Sequence, residues 1–277
     1  MKTILIPTDF SENALHAARY GAALAHQLDA KVLLFHAFHL PEGMADGGIY
    51  IPTLKDLTAQ HIGQLEKVGR ELKKQYPVHL EYAAKLGFFV DELTRLVESL
   101  PECLVVMGMR GANLLEQKLF GTLTTSVLRQ ARFPVLVVPA EAEVQPIRRI
   151  LFACDYESLA VDNSLNWLKN IAHQYKAKVR VLHIAQPNTV LSDGSLAVEG
   201  AHLERMLRGV DHQFDWLEEE NISEGIEQGI KSAQADLLVM VPRKRPFWDI
   251  ITGHSQTRKM AFKTPVPLLS LPNPVQN

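Results

Sequence analysis

Short runs of uninterrupted apolar residues alternate with longer segments whose apolar positions recur every three or four residues. Lys2–Ile6 is the first such run, and it stops at Pro7-Thr8-Asp9. Ser11 then predicts an N-cap for a helix through about Gln27, with Leu15, Ala18, Ala22, Leu24 and Ala25 as its apolar face. Ala30–Ala37 predicts a second strand, 38–52 a loop containing Pro and Gly, and about Leu54–Gln75 a long amphipathic helix. A third strand over Val78–Ala83, a helix over Phe89–Ser99, a fourth strand over Cys103–Met107, a helix over Thr122–Gln130 and a fifth strand within Pro134–Pro139 complete the series. Strands that are apolar throughout and separated by helices are buried on both faces. The pattern therefore predicts a doubly wound α/β domain, a five-stranded and mainly parallel sheet flanked by helices. In such sheets ligands sit beyond the carboxyl ends of the strands, where the winding reverses. Asp9 follows strand one and Gly108 follows strand four, so both are expected on that rim.

The pattern then starts again. Ala140–Pro146 reads as a linker, and Arg149–Asp155 repeats Lys2–Asp9 once one position is allowed for. Lys178–Ala185 repeats Lys31–Phe38, with His183 falling on His36. Asp236–Val241 repeats the fourth strand and Pro267–Pro272 the fifth, while a third strand is placed near Gln213–Leu217. The chain is thus expected to hold two tandem copies of one α/β unit, over residues 1–140 and 147–273.

Composition narrows the function without naming it. Of 277 residues, 47% are apolar, which is ample for two cores, and the net charge of −2 gives no electrostatic case for nucleic acid or an anionic membrane. Cys103 and Cys154 lie in apolar runs, in no metal-binding spacing, and read as reduced core thiols. Met1–Pro7 runs directly into a strand without a charged-then-apolar leader, and no apolar run is of membrane-spanning length, so a cytoplasmic protein is the expectation.

The chemistry concentrates in Gly108–Thr122. It runs Gly108-Met109-Arg110-Gly111, nine residues Ala112–Phe120, then Gly121-Thr122, between an apolar strand and a helix. A glycine-punctuated loop from a strand to a helix start is how a backbone offers N–H groups to a phosphate. Two bland alternatives stand beside this: Gly108 and Gly111 as turn glycines, and Asp9 as an N-cap for the first helix. His36, on an apolar strand, reads as a core or rim histidine ahead of a catalyst.

With this loop, the first strand and the duplication in view, the chain resembles the universal stress protein family in its tandem form. Gly108, Gly111, Gly121 and Thr122 match the family's Gly-x2-Gly-x9-Gly-(Ser/Thr) at full spacing. The resemblance implies an adenine nucleotide alpha hydrolase-like, Rossmann-like fold and ATP as ligand, with Mg²⁺ admitted as its companion. It places Pro7, Thr8 and Asp9 at the ribose or adenine, Ala37 at the adenine edge and Gly108 beside the ribose. Arg110, Gly111, Gly121, Thr122, Leu123 and Thr124 would hold the phosphates. It also implies a pseudo-dimer of the two halves, meeting through their fifth strands, with further association of two chains left open.

The second half departs from the motif. Pro242-Arg243-Lys244-Arg245 stands where Gly108–Gly111 stood, and His254-Ser255 (or Gly253-His254) where Gly121-Thr122 stood. Proline has no N–H to give, and arginine blocks a close backbone approach. One nucleotide site per chain follows, with the second half either a packing partner or a binder of another anion. Three functions are set side by side. They are a stress-response protein with ATP as a regulatory or structural ligand, a slow Mg²⁺-dependent ATPase, and an interaction module without nucleotide. The sequence gives the enzyme reading weak support: no Walker lysine, no Ser-Gly-Gly-x-Asp-Ser loop and no assignable catalytic set occurs.

Overall fold

The strands form where the apolar runs stand, and the helices take up the amphipathic segments between them. A computed structural model of the chain describes residues 1–40, 53–109, 122–154, 165–185, 193–241 and 264–272. Its elements are β1 (Thr3–Pro7), α1 (Glu12–Gln27), β2 (Lys31–Phe38), α2 (Leu54–Gln75), β3 (Leu80–Leu86), α3 (Phe89–Glu98), β4 (Cys103–Gly108), α4 (Thr122–Gln130) and β5 (Val135–Val138). They continue with β6 (Arg149–Ala153), α5 (Asn166–Tyr175), β7 (Lys178–Ala185), α6 (Asp193–Met206), β8 (His212–Glu218), α7 (Ile222–Ala233), β9 (Leu237–Met240) and β10 (Leu268–Ser270). Two compact units result, Met1–Gly108 and Met109–Asn277.

In the first unit the strand order is β3-β2-β1-β4, all parallel. The chain winds from β1 outward through β2 to β3 and then crosses back to β4, so the direction reverses between β1 and β4. Ile4, Leu5, Ile6, Leu34, Phe35, Leu104 and Val105 are fully buried between the helices. Ser11 is the N-cap of α1, its hydroxyl accepting from Ala14 N–H at 3.3 Å. Thr53 and Asp56 form a reciprocal capping box on α2, a feature that contributes about 1 kcal/mol. The third strand lies at Leu80–Leu86, displaced from the expected Val78–Ala83. Val78 is taken by a local turn, its N–H bonding to Tyr76 O at 2.9 Å. The ladder then runs on to Leu86 because β2 reaches Phe38 opposite it.

In the second unit the order is β5-β10-β9-β6-β7-β8. All neighbours are parallel except β5 and β10, which are antiparallel. The third strand of the repeat, expected near Gln213–Leu217, is present as β8. The duplication is visible in individual hydrogen bonds. Thr8 N–H bonds to Phe35 O at 2.8 Å, and Cys154 N–H to Leu182 O at 3.0 Å. Lys31 N–H bonds to Lys2 O and Lys178 N–H to Arg148 O. The helix before the second strand of each repeat ends in a left-handed residue, Asp29 and Lys176, each followed by the same closing bond, Ala30 N–H to Ala25 O and Ala177 N–H to Ala172 O.

One side chain ties α6 to β8 in a pH-dependent way. His212 Nε2 lies 3.0 Å from Glu204 Oε2, and Nδ1 2.8 Å from the Val210 carbonyl. Burial acts to lower its pKa. The Val210 carbonyl, Glu204 and Asp211 together act more strongly the other way, so the net shift is upward. A histidine raised in the folded state gives stability that is complete below its unfolded pKa and is lost as pH rises through the folded one. His212→Gln is therefore expected to flatten the fall in melting temperature between about pH 6 and 8. An unchanged slope in that variant, measured by scanning calorimetry, would contradict the assignment.

Candidate nucleotide site

The carboxyl ends of β1, β2 and β4 present a rim at which the first unit carries Pro7, Thr8, Asp9, Ala37 and Gly108. Pro7 and Thr8 are buried and Asp9 is exposed. Thr8 is fixed from several directions. Its N–H donates to Phe35 O, its carbonyl faces His36 Nδ1 at 2.7 Å, and its hydroxyl accepts from Phe10 N–H at 2.9 Å. Asp9 Oδ1 accepts Ser11 N–H at 3.0 Å. Asp9 thus closes the turn that leads into α1, while the capping itself falls to Ser11. Phe10 between them has φ of 64°, a left-handed conformation uncommon for a bulky residue.

His36 is a half-buried rim residue, as its apolar strand suggested. Its ring lies 4.7 Å from that of Phe10 and 4.9 Å from that of His61 on α2, and His61 in turn stacks on Phe38 at 4.3 Å. Burial lowers the His36 pKa. The Thr8 carbonyl opposes this, His61 adds to the lowering, and Asp9 opposes it again, with a net shift downward. Neither Phe10 nor His61 stood out in the sequence. His61 was recoverable, because it lies four residues from each of Leu57 and Leu65, both buried on the sheet-facing side of α2. Phe10 was not, since nothing in its neighbours demands a positive φ.

Gly108 has a packing role beyond the one the motif suggests. Its φ is not positive, so it does not serve a left-handed turn. A Cβ built there would lie 2.6 Å from the Asn13 carbonyl oxygen and 2.9 Å from its carbon. The missing side chain lets the first turn of α1 pack against the end of β4.

In the second unit, Met109 is buried and its N–H bonds to Val138 O at 2.8 Å. α4 begins at Thr122, the residue that ends the glycine pattern, with Leu123 exposed and Thr124 and Thr125 buried. A helix start here supplies free N–H groups and a positive dipole end. Arg110, Gly111 and Gly121 lie outside the described residues, as do Asp155 and Pro242–Ser255 of the second repeat. Among the described residues, no group of three or more His, Cys, Asp or Glu is placed to hold a metal ion, and no helix is long and apolar enough to cross a membrane. Cys103 is buried, and burial pushes its thiol up to about 12, so it stays protonated.

The profile of the universal stress protein family matches residues 1–139 and again 146–272. A universal stress protein of Methanocaldococcus jannaschii is 29% identical over 139 residues, covering 50% of this chain and 81% of that protein. One from Thermus aquaticus is 28% identical over 139 residues, covering 50% of this chain and 98% of its own length. Across the whole chain, a universal stress protein crystal structure from Archaeoglobus fulgidus superposes with a TM-score of 0.70 at 18% identity, covering 98% of each. The cytoplasmic domain of a prokaryotic cation chloride cotransporter superposes at 0.56 and 12% identity, covering 100% of this chain and 97% of that one. These two likenesses establish a shared fold only. With the profile matched twice in succession over nearly the whole sequence, the chain belongs to the universal stress protein family as a tandem of two repeats.

Proposed function

We propose that the chain binds ATP in its first repeat, as a regulatory or structural ligand in a stress response, with one site per chain. The observation that carries this is the intact Gly108–Thr122 pattern ending at the first residue of α4. Pro7, Thr8, Asp9, Ala37 and Gly108 take the nucleoside end. Arg110, Gly111, Gly121, Thr122, Leu123 and Thr124 take the phosphates, with Mg²⁺ as counter-ion. Adenine is favoured by family membership; the glycine loop alone selects only a phosphate. The fold by itself selects neither, since domains of this shape serve many functions.

The repeats are assigned to 1–140 and 147–273, and the protein to the cytoplasm. The second repeat acts as a packing partner, because Pro242 and Arg245 remove the features a phosphate needs. The antiparallel pairing of β5 with β10 inside the second unit supports a reading in which the fifth strands of the two repeats meet as a pseudo-dimer.

Calorimetric titration with ATP tests the reading, after assay of the purified protein for co-bound nucleotide. Gly121→Trp is expected to weaken ATP at least about tenfold, since its side chain fills space the phosphates need. Absence of binding at millimolar ATP in the wild type removes the proposal. Phosphate release with Mg²⁺ well above background, lost in Thr122→Ala, would favour the ATPase instead.

A further inference from the structure

The end of β2 does more than border the rim; it holds the turn that carries Asp9. β1 ends at Pro7, so the Thr8 carbonyl stands beyond the last residue of the strand. It meets the side chain of His36, Nδ1 at 2.7 Å, one residue after Phe35, whose own carbonyl takes Thr8 N–H. A carbonyl can only accept, so Nδ1 must carry the proton, and the tautomer of His36 is thereby set. Thr8 is therefore held at both its N–H and its C=O by two consecutive residues of one strand. The C=O belongs to the same peptide plane as the Asp9 N–H. Turning it would rotate the backbone entering Asp9. On the far side of Asp9, Phe10 is held at φ 64° by the Thr8 hydroxyl, and its ring rests 4.7 Å from the His36 ring. A conformation of this kind persists only where its surroundings over-determine it, and His36 contacts the turn both before and after Asp9. His61 backs the imidazole from α2 at 4.9 Å, and its Nδ1 lies 3.3 Å from Gln64 Oε1.

We infer that His36 is a positioning residue for nucleotide binding: by its Nδ1–H bond to the Thr8 carbonyl and its ring contact with Phe10, it holds Asp9 in the orientation that meets the ligand. The inference rests on the proposed ATP reading and assigns that site a residue which itself makes no ligand contact.

ATP affinities of the full chain, measured by calorimetry for four variants and the wild type, test it. His36→Phe keeps a ring and loses the N–H, and is expected to bind ATP about tenfold more weakly, the scale of one lost hydrogen bond. His36→Asn places an amide N–H where Nδ1 stood and is expected to recover affinity to within about threefold of wild type. Combined with Asp9→Ala, His36→Phe should weaken binding no further than Asp9→Ala alone, because the turn then has nothing left to position. Thermal unfolding checks that each variant folds, and His36→Leu replaces His36→Phe should the latter fail to fold. If wild type binds ATP and the N–H-lacking variant binds equally well, the inference falls while the ATP reading stands. If its loss persists undiminished beside Asp9→Ala, a general structural role replaces the positioning one. If wild type does not bind millimolar ATP, the ATP reading falls and this inference with it.

Discussion

Gly108→Val is expected to lower the stability of the first unit by about 3 kcal/mol, with or without nucleotide present. The built Cβ meets backbone, the Asn13 carbonyl at 2.6 Å, and a backbone atom in a capped helix cannot swing aside as a side-chain end would. The remaining course is for α1 to lift from β4. That separation would loosen Ala14, Ala17 and Ala18, which are buried along α1. For a unit of about a hundred residues the melting temperature should fall by about 10 °C or more. Scanning calorimetry of the ligand-free protein decides the point. An unshifted transition with weakened ATP binding would mean that the glycine serves the ligand alone. A destabilised apo protein would mean that the family's first motif glycine is also a packing residue in this chain.

Asp236→Ala is the counterpart in the second unit. One carboxylate oxygen accepts both Arg148 N–H at 2.8 Å and Arg149 N–H at 2.9 Å, and the other meets the Arg149 guanidinium at 3.3 Å. The side chain is only 9% exposed. These bonds clamp the start of β6 to the start of β9, where the ladder runs Ile150 opposite Leu237. Hydrogen bonds to a charged acceptor are stronger than neutral ones, and removing this one leaves two backbone donors at a partly wetted edge. The expected loss is about 2 kcal/mol, or about 4–8 °C for a unit of this size. Asp236→Asn, which keeps an acceptor oxygen but loses the charge, should lose about half as much. Denaturant unfolding of both variants with an unchanged midpoint would show that water replaces the carboxylate at no cost. The first repeat solves the same junction differently. It has the buried Cys103 opposite Thr3, and Thr3 N–H bonds to the Glu102 carbonyl.

Most of the architecture was legible because it follows from burial alone. Continuous apolar runs such as Leu104–Met107 and Val135–Val138 have no polar face to turn outward, so they must be covered on both sides. α2 and α4 appear at the bounds their patterns predicted, and β7 does likewise. β3 was shifted because its end is fixed by pairing with β2 and not by its own composition. Trp216 shows the same limit: a large apolar residue, it is 54% exposed on β8, with its ring 4.7 Å from that of His183.

The candidate site divides along the same line. Its glycine pattern, the acid after strand one and the loss of the pattern in the second repeat are local features, readable as spacing and residue type. They carried the resemblance to the universal stress protein family, which the profile matched over both repeats then established. The tertiary structure decided which contacts those residues make. Gly108 lacks a side chain because Asn13, 95 positions earlier by number, packs against it. Thr8 is held by His36 because β1 and β2 pair in one register, Pro7 opposite Phe35, which brings the next residue of β2 against the first carbonyl beyond β1. A sequence carries residue identity and local periodicity. Close approach and register come from the simultaneous packing of distant segments, and only the folded chain contains them.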